Sequence, residues 1–368
     1  MYTANAIDIV IPSFRLDEHI LLGIFTIDRP ADFKLNFYLI ADNPELTIPA
    51  SIVHLAESGQ VNLIINPVNI GFSETRNKGI RLGSSKWVLL LDDDIVPEKD
   101  LVTAYTEAIK IHPQAIGFAG VTNFPEPFNR VTTAMEMHGM TGHFKLANKE
   151  EELTWVPTAN VMLNRDKMDP ALFNENLKKG GEDIEFLVRN VALYKEKYRA
   201  VPSAIVTHPW WNEGTLQTGR LFRYGAGAAQ IAPLPSINSY TYHDFTNTAE
   251  TLLLLIISFP ILTLFYSWQV PVALILIILA AEFLTNLFKG YYLSKKFSFS
   301  LAANLLWMKN CYELGYLAEN LSKGRISGFA ERIDMGFSKK HPSWFRLNKW
   351  KILKICLILI GLILIICS

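Results

Sequence analysis

The chain has 368 residues, room for one large domain or two smaller ones, and its 35 basic and 35 acidic residues cancel to a formal net charge of zero. That balance excludes the basic field of a nucleic-acid-binding protein. The apolar half of the composition is unevenly spread: residues 1–250 read as a soluble α/β protein, whereas Thr251–Ala281 carries no charge and ICLILIGLILIICS closes the chain.

In chain order, Ala6–Ile11 is a predicted strand ending at Pro12, Leu35–Ala41 a second ending at Asp42, and Val61–Ile65 a third. Glu74–Leu82 reads as a helix, and Trp87–Leu91 as a strand that delivers Asp92, Asp93 and Asp94. Leu101–His112 is helical and Ile116–Val121 extended, while Met135–Leu153 fits an irregular helix or a loop equally. Trp155–Leu163 returns to strand, and the apolar spacing of Asp183–Leu193 predicts a helix. Strands alternating with helices imply an α/β fold, a mixed, mostly parallel sheet flanked by helices.

The C-terminal part reads as a membrane region. A single helix over Thr251–Ala281 would reach about 45 Å against about 30 Å of hydrocarbon, so two short spans with a turn near Ser267–Pro271 are expected. Tyr266 and Trp268 suit an interfacial anchor, and Lys289, Lys295 and Lys296 place the N-terminal domain on the cytoplasmic side of a plasma or inner membrane. The N-terminus goes almost directly into a strand without a signal-peptide pattern, and Cys311, Cys356 and Cys367 have no metal-site spacing, which agrees with a reducing cytosol. The expected organisation is a cytosolic α/β domain over 1–235, a helical hairpin over 236–298, an interfacial helix and basic segment over 299–350, and a last short span over 351–368. Phe299–Leu321 would lie along the interface, and Lys339–Lys354 would face anionic headgroups. The competing reading is a soluble helical domain with an apolar core.

Three acids directly after a buried strand demand an explanation, because unpaired buried carboxylates are costly. On an extended segment Asp92 and Asp94 share one side and Asp93 faces away. Two carboxylates on one side suit Mg²⁺ or Mn²⁺ carrying a diphosphate; the bland alternative is a solvated acidic turn.

The ordered set IVIPSF at Ile9–Phe14, NPVNIGFSETRNKGI at Asn66–Ile80, WVLLLDDDIVP at Trp87–Pro97 and GGEDIEFLVRN at Gly180–Asn190 resembles glycosyltransferases of family 2, with the GT-A fold. The resemblance extends over residues 6–230. It implies that Pro12, Ser13 and Asp42 receive the base and ribose of a nucleotide sugar, a UDP-sugar being the expected donor. Asp42 stands in an ADNPE turn that departs from the family's acidic-serine pattern and reads equally as a turn cap. Arg76 would lie near the nucleotide, Asp92 and Asp93 on the donor side, and Asp94, with Asp92, on the metal. Asp183 would deprotonate the acceptor hydroxyl with Glu182 in support, although acids at a helix N-terminus also have a capping role.

The same resemblance makes His208 a third metal ligand, against the commoner structural histidine. Gln217 and Arg220 match part of a QxxRW motif of polysaccharide synthases, with Leu221 in the tryptophan's place. Arg220 and Arg223 would hold a diphosphate or a lipid phosphate, and Trp211 would stack on a sugar or pack. The implied partners are a nucleotide-sugar donor, a lipid-linked or glycan acceptor and membrane lipids, without nucleic acid. A processive synthase would need more spans, hence oligomerisation. A nucleotidyltransferase would need a glycine-rich loop that IPSFRLDEH lacks, and a non-catalytic membrane scaffold would not need intact DDD and ED pairs.

Overall fold

Each apolar run of the N-terminal part becomes a strand that hands a polar loop to the following helix. The computed structural model describes residues 3–337 and 345–367. The strands are β1 (Thr3–Ser13), β2 (Lys34–Ala41), β3 (Val61–Ile65), β4 (Ser85–Leu91), β5 (Val96–Pro97), β6 (Gly117–Asn123), β7 (Glu152–Leu153), β8 (Asn160–Asn164) and β9 (Tyr198–Thr207). The helices in the same part are α1 (Glu18–Phe25), α2 (Ala50–Glu57), α3 (Phe72–Leu82), α4 (Leu101–Ile111), α5 (Arg130–His138) and α6 (Glu182–Tyr194).

Among the described residues these strands form one nine-stranded sheet in the order β3-β2-β1-β4-β8-β6-β9-β5, with β7 on β9. β3, β2, β1 and β4 are parallel, as are β6 and β9, while β8 runs antiparallel to β4 and β6. β1 and β4 are neighbours, so the loop after Ser13 and the aspartates after Leu91 emerge side by side. Ile7, Ile9, Ile11, Phe37, Leu39, Leu89 and Leu91 are fully buried in the core, which fixes the register. Asp8, buried within β1, is satisfied by Asn36, Ser85 and Arg165.

Two sequence expectations need correction here. The strand expected over 155–163 begins only at Asn160, because Pro157 has no N–H for a ladder. The ambiguous 135–153 stretch resolves into the end of α5, a 3₁₀ segment Gly142–Asn148 and β7.

The chain divides into two compact units, Met1–Glu126 with Thr141–Glu213, and Pro127–Met140 with Gly214–Ser368. The division therefore falls before residue 235. The second unit holds α5, α7 (Thr218–Ile231), α8 (Thr248–Phe265), α9 (Gln269–Ser294), α10 (Phe299–Ser322) and α11 (Lys349–Ile366). α7 joins it because two glycines let it touch α10: a Cβ on Gly225 would fall 1.9 Å from the Tyr312 carbonyl oxygen, and one on Gly315 1.9 Å from that of Phe222. α10, expected at an interface, buries Leu301, Leu305, Met308 and Tyr316 within this unit. The turn expected at 267–271 is shorter, at 266–268, and Pro271 lies in the first turn of α9, where a missing N–H costs nothing. Of the basic segment 339–354, residues 339–344 lie outside the described residues.

Candidate active site

The aspartates do not continue the strand. β4 ends at Leu91, and Asp93 and Asp94 lie in a turn, so the alternation expected of an extended segment does not apply. Asp92 and Asp94 accordingly meet different cations. Arg76 Nη2 donates to Asp92 at 3.0 Å, whereas Asp94 lies 2.9 Å from Arg15 Nη2 and 3.2 Å from His208 Nε2. Asp93, expected to face away, turns inward and is buried. Its carboxylate accepts from Ser13 Oγ at 2.8 Å, from the N–H groups of Phe14 and Arg15 at 3.1 Å each, and from Arg15 Nη1 at 2.6 Å. Asp93 and Ser13 thus lock the β1 and β4 ends together.

Arg15 is the residue that the sequence reading missed. It bridges Asp93 and Asp94 while half of its side chain stays exposed. The available signal was its place three residues past Pro12, but strand adjacency was needed to aim it at the aspartates.

Arg76 enters from α3 and crosses to the second acidic pair. Its Nη1 donates to Glu182 at 2.9 Å, its guanidinium lies 5.8 Å from the Phe173 ring, and its buried Nε has no hydrogen-bond partner among the described residues. Gly180 and Gly181 have φ of 107° and 88°, in the left-handed region that side chains avoid, and so turn the chain sharply into α6 at Glu182. Burial, reinforced by the charge of Asp183, pushes Glu182 up to about 7 even with Arg76 beside it. Burial also pushes Asp183 up to about 6, against the opposing Ile184 N–H and Arg76. Asp183 as a residue is only half-buried. Asn77, next to Arg76, clamps the loop leading to these acids, donating to the Phe173 carbonyl at 2.8 Å and to Glu175 at 3.0 Å.

Asp42 lies at its expected strand end, but its carboxylate is taken up by the following loop. It accepts from Asn66 Nδ2 at 2.8 Å, Ile70 N–H at 2.9 Å and Gly71 N–H at 3.0 Å. Trp211 is buried rather than presented to a ligand: it packs with Phe124, Phe144 and His208. Phe124 stacks on His208 at 5.1 Å and so orients the imidazole. Gln217, Arg220 and Arg223 belong to the second unit, where Gln217 precedes α7, Arg220 donates to the Tyr224 hydroxyl at 3.1 Å, and Arg223 is exposed.

Five carboxylates, Asp92, Asp93, Asp94, Glu182 and Asp183, thus share two guanidiniums and one imidazole. The excess negative charge fits a divalent cation, and the Asp94–His208 pair supplies one oxygen and one nitrogen donor. His208 Nδ1 lies on the Pro209 carbonyl, the kind of contact that turns Nε2 toward a metal. Burial lowers the imidazole pKa, but the hydrogen bond and charge of Asp94 outweigh it and raise it overall. Among the described residues no group of three or more His, Cys, Asp and Glu side chains converges as a ready-made metal cage, so remaining positions would fall to substrate oxygens or water.

Residues 31–173 match the family described as glycosyl transferase family 2. The mannosyltransferase PcManGT from Pyrobaculum calidifontis, solved with GDP-Man and Mn2+, is similar with a TM-score of 0.53 and 13% identity, over 84% of this chain and 86% of that one. GalNAc-T7 with UDP, GalNAc and Mn2+ gives a TM-score of 0.46 at 13% identity, over 64% of this chain and 49% of that one. TarS from S. aureus gives 0.40 at 15% identity, over 62% of this chain and 40% of that one. No curated protein matches the chain.

A mostly parallel sheet, flanked by helices and carrying acids at its strand ends, is a GT-A-like architecture. Residues 31–173 form a domain similar to those of glycosyltransferase family 2, which supports a glycosyltransferase. Arg15, Glu182, Asp183 and His208 lie outside the matched residues, so their roles rest on geometry.

Proposed function

We propose that this glycosyltransferase moves a sugar from a nucleoside-diphosphate sugar to a hydroxyl of a lipid-linked or membrane-associated glycan, inverting the anomeric centre. One observation carries the reading: Arg76 holds Asp92 and Glu182 at once, so the strand-end acids and the ED pair belong to a single site. The first occupies the donor side and the second the acceptor side.

Ser13 and Asp93 shape the floor of the donor side, and Arg15 and Arg76 offer guanidinium forks suited to the diphosphate. Asp94 and His208 would hold a divalent metal, which when bound neutralises the diphosphate leaving group. Asp183 takes the proton of the acceptor hydroxyl as its oxygen bonds to the anomeric carbon and the bond to the diphosphate breaks. A single in-line displacement of this kind needs no enzyme nucleophile. Glu182, held by Arg76, keeps the first turn of α6 in place.

α8 and α9 are long and apolar enough to cross a membrane by length and composition, which supports an acceptor confined to a lipid surface. The test is a panel of UDP- and GDP-sugars with Mg²⁺ or Mn²⁺, read by thermal stabilisation and by transfer to a lipid-linked acceptor. Stabilisation by one nucleotide sugar, with a product of inverted anomeric configuration, is expected. A product of retained configuration would refute the single displacement.

A further inference from the structure

The second unit contains a charged layer that the transfer itself does not use. Glu282, in the middle of α9, is buried and binds Lys309 of α10 at 2.9 Å and Lys354 of α11 at 2.6 Å. Lys309 also binds Glu313 at 2.9 Å. Thr248, which opens α8, donates from Oγ1 to Glu282 at 2.9 Å, accepts from Lys354 at 2.7 Å, and donates its N–H to Glu313 at 3.0 Å. Two lysines and two glutamates therefore close on one another and pin α8, α9 and α11 at one level.

Beyond that layer the three helices carry no charge. α11 is antiparallel to α9, because Lys354 meets Glu282 while a Cβ on Gly361 would come within 2.8 Å of Ile277. α8 and α9 are joined by the short turn at 266–268, so all three leave the layer in the same direction. At 1.5 Å per residue, Thr251–Phe265 reaches about 22 Å, Gln269–Ala281 about 20 Å and Ile355–Ile366 about 18 Å, against about 30 Å of hydrocarbon. Ile257, Leu264, Leu276, Leu279, Ile360 and Ile363 are exposed along these rods, an apolar surface too extensive for water.

The polar end of the bundle is built for headgroups. Lys349 lies 3.7 Å from the centre of the Tyr292 ring and 5.0 Å from that of Trp350, and the exposed Lys295 lies 4.7 Å from that of Tyr292. Cations interleaved with amphipathic rings fit an anionic lipid surface. Lys309 decides the depth. Its amine is paired with both Glu282 and Glu313, and drawing this charged layer into hydrocarbon would be costly even with its pairs intact.

We propose that α8, the first half of α9, and α11 enter the bilayer from one face as a single plug and end within it. The Glu282–Lys309–Lys354 layer lies at the near headgroup boundary, and the 266–268 turn stops below the far headgroups. This inference rests on the membrane-associated reading above, with lipid as the occupant.

The experiment uses the full chain with Cys311, Cys356 and Cys367 changed to alanine and Ser267→Cys added, reconstituted with the catalytic part outside. Flotation with phosphatidylcholine–phosphatidylglycerol vesicles is read first; failure to float would overturn the membrane reading and this inference together. In floated vesicles, a membrane-impermeant maleimide trapped in the lumen is expected to leave the Ser267→Cys thiol unmodified until detergent is added. Modification in intact vesicles would overturn the one-sided plug while leaving membrane binding intact. A Lys309→Met variant that still floats, with the thiol still protected, would confirm that the apolar rods rather than this charge provide the attachment.

Discussion

Arg76 Nη1 and Glu182 Oε1 lie 2.9 Å apart although 106 residues separate them in the chain, and the contact is buried. The same guanidinium holds Asp92, so one side chain joins the end of β4 to the start of α6. Replacing Arg76 by methionine leaves Glu182 buried beside Asp183 without a counter-charge. Removing one partner of a buried pair costs about 3–5 kcal/mol, and a loss of that order is expected in denaturant unfolding. Arg76→Lys should restore only part of it, because an ammonium cannot fork between two carboxylates.

The raised carboxyl pKa values predict opposite pH trends for activity and stability. Transfer needs an ionised base, so kcat/KM should rise with pH through about 6 to about 7 and then level off. For stability the sign reverses. The folded state holds these protons above the pH at which unfolded carboxylates lose them, near 4, so stability falls as pH rises through the window from about 4 to about 7. Asp183→Asn should cut transfer sharply and yet melt at a higher temperature than the wild type at pH 8, with the gap closing toward pH 4. A pH series of Tm values checks the sign.

The metal account predicts that EDTA abolishes transfer and that Mn²⁺ or Mg²⁺ restores it. His208→Ala should weaken Mn²⁺ binding in the presence of nucleoside diphosphate at least about tenfold, since even supporting residues around a metal contribute about 10–100-fold. Arg15→Ala removes the cation seated on Asp94 and should tighten Mn²⁺ binding without nucleotide. Titration calorimetry reads both effects without any turnover.

Asp42 offers a test between a nucleotide contact and a loop fastener. Its carboxylate holds Asn66, Ile70 and Gly71; Gly71 N–H keeps Asn69 as a second acceptor, so Asp42→Ala strands the Ile70 N–H, at about 1–3 kcal/mol. A fall in Tm in the absence of donor marks the fastener. An unchanged Tm with a raised KM for the nucleotide sugar would restore the direct contact.

The segment RNKG shows how far the sequence was legible. Its resemblance placed Arg76 near the donor, but not the roles of its neighbours. Asn77 clamps the 173–175 loop, Lys78 donates to Asn66 at 2.6 Å, and Gly79 lies so close to Val10 that a Cβ would come within 2.4 Å. The partners of Asn77 and Gly79 are distant in sequence, so no local pattern reveals them. The parallel strands were readable because their apolar runs are short and bounded by Pro12, Asp42 and Asn66. The arrangement of Asp92, Asp93 and Asp94 was not, because periodicity ends where the strand ends. The placing of residues 218–231 within the N-terminal 1–235 domain differs for a similar reason: Gly225 lies against the Tyr312 backbone and Gly315 against that of Phe222, some ninety residues away.

The most direct measurement is transfer and donor binding by Asp183→Asn, assayed side by side with Mn²⁺ present. Nucleotide-sugar binding near the wild-type level, with transfer reduced by about 10²–10⁴-fold as for loss of a general base, is the predicted result. Transfer at the wild-type rate would contradict the assignment of Asp183 as the base, and with it the pairing of the donor and acceptor sides through Arg76.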